Sequence, residues 1–228
     1  MSVREQWQAG VQNEVDFWRA VFKGEQFPDF KQDMANRAYP DKEIEKYILP
    51  YLPKDVPVGE LKILDVAAGP ISCLGWKING ESPQITAVDA LAEQYRLILD
   101  EFGVTPPVYT QLCDGENLAG MFPPGTFDMV HIRNALDHCY DAVAVVRNML
   151  AVLRPGGFLI VAGHTDEAVF EEYVGLHQWN IRADNGRMII WRPGERHDVN
   201  TLFADQLAAV EAMQVEGKRW TSITLKKK

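Results

Sequence analysis

Ile63-Leu64-Asp65-Val66-Ala67-Ala68-Gly69-Pro70 is an apolar run that carries one acid near its end and passes directly into small residues. A short apolar run bounded by turn residues reads as a strand buried on both faces, as in a parallel sheet. The small residues after it form a tight turn that lets the backbone approach a ligand closely. That turn is expected to open a helix, whose first N–H groups lack partners. A dinucleotide fingerprint would place glycine at 67, 69 and 72, but the chain has Ala67, Gly69 and Ser72, so a single glycine fits.

Outward from this stretch, short apolar runs alternate with helix-period segments between residues 61 and 162, the pattern of a parallel sheet covered by helices. Leu61 to Val66 reads as the first strand, Gln84 to Val88 as the second and Val108 to Cys113 as the third. Phe127 to Ile132 reads as the fourth and Phe158 to Ala162 as the fifth. Between them, Leu91, Tyr95, Ile98 and Phe102 recur at helical steps before Gly103, a left-handed stop. Asp141 caps a helix striped by Val143, Val146, Leu150 and Leu153, which Pro155-Gly156-Gly157 ends. Right-handed crossovers then give an α/β fold, a doubly wound Rossmann-like seven-stranded sheet with an antiparallel last strand and helices on both faces. Its ligand crevice lies at the carboxyl ends of the strands, near the switch point.

Residues 1–58 read as an N-terminal helical arm, a lid or packing layer, and residues 59–228 as the main domain with an inserted segment at about 164–200. In the arm, Trp7, Val11, Val15, Trp18 and Phe22 make an amphipathic stripe. After the Pro/Asp-rich stretch Phe27 to Asp41, a second short helix is expected to run to Leu49. Met188 to Trp191 and Arg196 to Val199 flank the turn Arg192-Pro193-Gly194-Glu195 as an inserted hairpin. Val210 to Val215 and Trp220 to Leu225, around Glu216-Gly217-Lys218, form a final antiparallel pair, although Leu202 to Met213 also suits a helix.

Composition removes several functional classes. With 228 residues and 46 % hydrophobic content the chain carries a sizeable core. It has no apolar run of about 18 residues and no signal-like start, so we expect a cytoplasmic protein without a membrane partner. A formal net charge of −9 opposes nucleic acid, whose recognition rests on Lys and Arg neutralising phosphates. Lys226, Lys227 and Lys228 read as a solvated tail. Cys73, Cys113 and Cys139 have no paired spacing, which speaks for buried thiols over a disulfide framework or zinc cluster.

The placement of acids narrows the ligand. Asp65, beneath the turn, would repel a pyrophosphate but not a ligand bearing an ammonium group. Twenty-four residues on, Asp89 ends the second strand, a position from which a carboxylate accepts bonds from two ribose hydroxyls. Asp114-Gly115-Glu116, just past the third strand, is placed to meet an adenine edge.

Leu64-Asp65-Val66-Ala67-Ala68-Gly69, Val88-Asp89, Asp114-Gly115-Glu116, Phe127-Asp128-Met129-Val130 and Leu153-Arg154-Pro155-Gly156-Gly157-Phe158-Leu159 occur in that order. Over residues 60 to 163 the chain thereby resembles the class I S-adenosylmethionine-dependent methyltransferases of the general small-molecule type. The resemblance implies methyl transfer from S-adenosyl-L-methionine to a small-molecule acceptor, polar or glycan-like, at O or N, with self-association left open. Asp65, Ala67, Gly69 and Pro70 would lie near the methionine portion, Asp89 and Ala90 at the ribose, and Asp114, Gly115 and Glu116 near the adenine. Arg133 and Asn134, which end the fourth strand, complete the cofactor set. Ala67 and Ile71 stand where the family commonly has glycine, and Pro70 lacks a backbone donor. The fourth strand runs into His131-Ile132-Arg133-Asn134-Ala135-Leu136-Asp137-His138, without the Asp/Asn-Pro-Pro-aromatic signature of amino methylases.

Methyl transfer is an in-line displacement in which positioning supplies much of the acceleration and a hydroxyl acceptor gains from a general base. His138, His164 and His177 are the candidate catalytic groups, each weighed against a packing role. Arg37, Tyr39, His177 and Trp179 are candidate substrate contacts, Arg37 because guanidinium recognises carboxylates bidentately. No metal site is expected, since no cluster in the sequence reaches the required ligand count, although His164, Asp166 and His177 stay open. Two other functions compete. A nicotinamide-dependent oxidoreductase would need the missing glycines, and a non-catalytic nucleoside-binding subunit would use Trp7 and Trp18 as an interface.

Overall fold

In the computed structural model, which describes residues 3–25, 28–215 and 218–228, the strands form two sheets. In chain order they are β1 (Lys62–Val66), β2 (Gln84–Asp89), β3 (Gln111–Leu112), β4 (Phe127–Arg133) and β5 (Leu153–His164), then β6 (Asn180–Asp184), β7 (Arg187–Arg192), β8 (Glu195–Asp198), β9 (Leu207–Gln214) and β10 (Trp220–Lys227). The larger sheet has the order β3-β2-β1-β4-β5-β10-β9. Its first five strands are parallel, and β10 runs antiparallel to both β5 and β9. The helices are α1 (Val3–Lys23), α2 (Pro28–Ala38), α3 (Ala92–Glu101), α4 (Leu118–Met121), α5 (Ala142–Val152), α6 (Glu167–Phe170) and α7 (Val199–Leu202). Among the described residues, no helix is long and apolar enough to cross a membrane.

The alternation of β1 and β4 explains the layers. Leu64, Val66, Val130 and Ile132 enter one core with Val145, Val146 and Met149 of α5 and Ile181, Met188 and Ile190 of the small sheet. Ile63 and Met129 face the opposite side, where Ile44, Ile48, Leu74 and Ile160 cover them. On that same side α1, α2 and α3 pack together through Val15, Phe22, Met34, Tyr95 and Ile98. Each fully buried aliphatic contributes about 1.5–3 kcal/mol, so burial on both faces fixes these central strands firmly. Asp65 lies opposite His131 in the β1–β4 register, and both project to the arm side.

Two expected helices are absent for one shared reason. No helix follows β1: residues 67–83 are irregular, and 41–49 holds turns and a bridge in place of the second short helix. The two segments spend their backbone groups on each other, through Ile44 N–H to Lys77 O (2.7 Å), Glu45 N–H to Leu74 O (2.8 Å) and Trp76 N–H to Lys42 O (2.7 Å). Gly75 permits this approach, with φ +91° and a position where a β-carbon would meet the Glu43 carbonyl oxygen at 2.4 Å. Helix appears instead in the Pro/Asp-rich stretch, where Pro28 begins α2 as a first-turn proline. Phe27 at the head of that stretch and Glu216-Gly217 of the expected last turn lie outside the described residues.

Other boundaries move for local reasons. β3 shrinks to two residues because only Val88 and Asp89 offer it partners. Asp141 caps α5 by accepting from Ala144 N–H (2.9 Å), yet the helix stops at Val152, before Pro155-Gly156-Gly157. The chain enters β5 at once and loops out before Phe158, so that Phe127 pairs with Leu153 and Met129 with Phe158. The inserted hairpin is present as β7 and β8, with β6 added as a third strand. Leu202 to Met213 holds only the end of α7 before β9, which pairs along the whole of β10.

Candidate active site

A cavity of about 720 Å³ opens at the carboxyl ends of the parallel strands, between the sheet and α1 and α2. Ligand clefts of this size are typical of cofactor or drug-sized molecules. At one end Asp89, 7 % exposed, accepts Gly69 N–H at 3.0 Å on one oxygen and Leu91 N–H at 2.8 Å on the other. Burial pushes its carboxyl up to about 6, against the pull of those two donors. Each oxygen keeps a lone pair for a ligand hydroxyl. Gly69, with φ +68°, leaves room beneath the Trp18 indole, which would lie 3.5 Å from a β-carbon there. Glu116 lines the same end and is raised to about 7 by burial, although it accepts Asp141 N–H at 3.0 Å.

Asp65 also reaches the cavity wall, but its oxygens are engaged from below. Ser72 Oγ donates to one at 2.6 Å, and His131 Nδ1 lies 2.7 Å from the other. Tyr47 continues the line, its hydroxyl 2.7 Å from His131 Nε2. In this Asp65–His131–Tyr47 row each ring nitrogen of His131 has its own partner.

Another part of the wall gathers residues remote in sequence. His177 Nδ1 lies 2.7 Å from Asp137 Oδ2 and 3.2 Å from His138 Nε2, which is itself 3.5 Å from Asp137 Oδ2. Glu14 Oε2, from α1, lies 3.9 Å from His138 Nδ1, while its other oxygen accepts from Trp18 Nε1 at 2.8 Å. Burial acts to raise the Asp137 carboxyl, but the two imidazoles outweigh it and hold it below its ordinary value. Burial likewise acts to lower His177, and the hydrogen bond to Asp137 overrides it and leaves the imidazole raised.

Of the residues singled out in the sequence, Arg37, Asp65, Ala67, Gly69, Asp89, Ala90, Gly115, Glu116, Arg133, Asn134, His138, His164 and His177 line this one cavity. Arg37 is held there by Asp33 (2.6 Å) and the Ile71 carbonyl (3.2 Å). His164 is tied to the Arg219 carbonyl at 3.1 Å, with its ring against Trp220. Pro70, Asp114, Tyr39 and Trp179 are not on the wall. Tyr39 is 59 % exposed, and Trp179 is a core side chain, 2 % exposed beneath the Arg192 guanidinium, so its apolar ring is spent on packing. Asp114 receives the Tyr140 hydroxyl at 3.4 Å. Trp7 and Trp18 turn inward onto the cavity, which removes them as an outward interface. Glu14 escaped the sequence reading, and its only local signal is its place four residues before Trp18.

The strand order with its reversed last strand, and a crevice at the strand ends walled by Asp65 and Asp89, define the class I methyltransferase fold. Residues 64–161 match the family model described as a methyltransferase domain. Over 136 residues the chain is 28 % identical to the ubiquinone/menaquinone biosynthesis C-methyltransferase UbiE of Shewanella woodyi, covering 57 % of this chain and 53 % of that protein. UbiE of Saccharophagus degradans is 28 % identical over 136 residues, covering 56 % and 53 %. The chain thus spans about half the length of the curated relatives it matches. Among solved structures, it resembles the 1,6-didemethyltoxoflavin-N1-methyltransferase of Burkholderia thailandensis, bound to 1,6-didemethyltoxoflavin and S-adenosylhomocysteine. That likeness has a TM-score of 0.52 at 15 % identity, covering 100 % of this chain and 91 % of the other.

Proposed function

We propose that this chain is a methyltransferase that moves the methyl group of S-adenosylmethionine to a small polar or glycan-like acceptor, at oxygen or nitrogen. The observation that supports the reading is one cavity walled by the buried Asp89 carboxylate, which accepts two backbone N–H groups, and by the His138 and His177 imidazoles gathered on Asp137. The wall fits the cofactor. Asp89 is buried with open lone pairs and no ion-pair partner among the described residues, and Gly69 leaves space under Trp18. A diphosphate would meet Asp65, Asp89, Glu116 and Glu14 with Arg37 already paired, which disfavours the nicotinamide reading.

When bound, the cofactor supplies a methyl on a sulfonium, ready for in-line displacement. Asp89 would hold the ribose hydroxyls, with Ala90 beside it and Gly115 and Glu116 against the adenine. Asp65, Ala67 and Gly69 would face the methionine portion, with Arg133 and Asn134 closing that side. Asp137, His138 and His177 would hold the acceptor's nucleophilic atom in line and receive its proton, with His164 on the flank. Residues 1–58 serve as the cover of the site and about 164–200 as its acceptor-side insertion. The relatives' own names include a C-methyltransferase and an N1-methyltransferase. The net charge of −9 and the acid-rich wall support a neutral or cationic small molecule over nucleic acid.

Calorimetry with S-adenosylhomocysteine tests the reading: one site per chain is expected, and no heat from protein shown to be folded would end it.

A further inference from the structure

We propose that Asp137, His138 and His177 form a binding site for one divalent transition-metal ion of the zinc or iron(II) type, with its open positions facing the cavity. The inference goes beyond methyl transfer and does not depend on it.

Asp137 Oδ2, His138 Nε2 and His177 Nδ1 converge on one point, with separations of 2.7, 3.2 and 3.5 Å. An ion about 2.0–2.1 Å from each donor sets neighbouring donors about 3.0 Å apart at right angles and about 3.4 Å apart at a tetrahedral angle. The observed triangle brackets both values. Hydrogen bonding within the cluster has few hydrogens to share among its three converging atoms. His177 Nδ1 carries at most one hydrogen, and the 2.7 Å contact to Asp137 uses it. His138 Nε2 then faces an N–H already donated and a carboxylate oxygen 3.5 Å away, beyond ordinary hydrogen-bond range.

The second His–Asp group in the molecule supplies the contrast. Asp65, Cys73 and His131 are also close together, but both His131 nitrogens have partners of their own in Asp65 and Tyr47 and the three residues are buried. It is a hydrogen-bonded row whose imidazole nitrogens are both already used. The Asp137 group has two imidazoles on the cavity wall and Glu14, Glu167 and Glu171 lining the same cavity, a field that favours a cation. Two imidazoles and one carboxylate from one side leave coordination positions free, the pattern of reactive metal centres as opposed to closed structural ones. An acceptor hydroxyl, amine or carbonyl would take one of them. With the ion seated the imidazoles act as ligands, and the acceptor's proton passes to solvent or a cavity carboxylate.

The test is titration of the chelator-stripped full chain with Zn²⁺ by calorimetry, and with Co²⁺ by visible absorption. One equivalent of Zn²⁺ is expected, with a Co²⁺ band that Zn²⁺ displaces. Asp137→Asn and His177→Gln should each weaken binding by at least about 100-fold, since loss of an outer partner alone costs about 10–100-fold. His197→Gln, a histidine bonded to Glu195 outside the cluster, should bind as the parent does. Should the variants misfold, anomalous diffraction from Zn²⁺-soaked wild-type crystals decides, with a peak at these three atoms expected. No stoichiometric binding, binding that survives both substitutions, or a peak elsewhere overturns the proposal. S-adenosylhomocysteine binding on the same stripped protein separates the two ideas, because either ligand can bind without the other.

Discussion

The two ends of the cavity are built by different means. At the cofactor end the side chains sit on consecutive strand ends, and the segment after β1 is zipped to residues 42–45 by backbone hydrogen bonds. At the acceptor end Glu14, Asp137, His138 and His177 meet from α1, the turn after β4 and the insertion mainly through side chains, braced by the Gln178 and Trp179 N–H groups donating to the Asp137 carbonyl. Backbone pairing resists sequence change and holds geometry tightly, whereas a side-chain cluster alters with single substitutions. A fold that keeps one ligand and varies the other would be expected to divide its construction this way.

The sharpest way to break that comparison is at Gly75. Gly75→Ala places a β-carbon 2.4 Å from the Glu43 carbonyl oxygen at a φ of +91°. Clash and strain together should cost about 3–5 kcal/mol of stability, seen as a fall of about 10 °C or more in melting temperature. A melting temperature within about 2 °C of the parent would show that the zipped segment does not support the domain.

Asp89 comes next. Asp89→Ala removes the acceptor for two backbone donors and the proposed ribose contact. Calorimetry should show S-adenosylhomocysteine binding weakened by about 1–3 kcal/mol. Unchanged affinity would move the ribose elsewhere and leave the cofactor end without its defining residue.

These two positions differ in how far the sequence discloses them. Asp89 was legible because the apolar run Ile85 to Val88 marks a buried strand and the acid ends it. The main strands, the cap at Asp141 and the hairpin 187–198 were legible for the same kind of reason, since period and turn chemistry are local. Gly75 and residues 42–45 were not, because their pairing joins segments some thirty positions apart and overrides helical spacing in both. His138 and His177 were each visible as polar groups past a strand. Their meeting on Asp137 was not, since no local rule relates positions 40 residues apart. Trp18 reads as part of a helix stripe and Glu14 stands out in no local pattern, and only the way α1 lies over Gly69 gives them a place in the site.

A smaller effect follows from pH. The ionised form of Asp89 accepts the proposed ribose bonds, and its folded carboxyl titrates at about 6. Affinity for S-adenosylhomocysteine should therefore be flat above that pH and fall by up to about tenfold per unit below it. For the free chain the sign reverses. Native Asp89 holds its proton to higher pH than the unfolded chain, so its contribution to stability falls as pH rises from 3.8 to about 6. Asp89→Asn should flatten the binding profile, and a profile unaltered by that change would assign the titration to another group.

The smallest expected effect tests whether the two ends communicate at all. His138 acts on Asp89 only through space, its charged form favouring the ionised carboxylate, and Glu14 acts in the opposite sense. His138→Gln on chelated protein should leave S-adenosylhomocysteine affinity at pH 8 within about twofold of the parent, as expected for a group outside the cofactor's contacts. It should also move the acid midpoint slightly upward, while Glu14→Gln should move it downward. Opposite small shifts with a common plateau would mean the ends are joined by a weak field and otherwise independent. A large loss at pH 8 from His138→Gln would instead place the cofactor across the whole cavity, and the division of the wall into two parts would no longer correspond to two ligands.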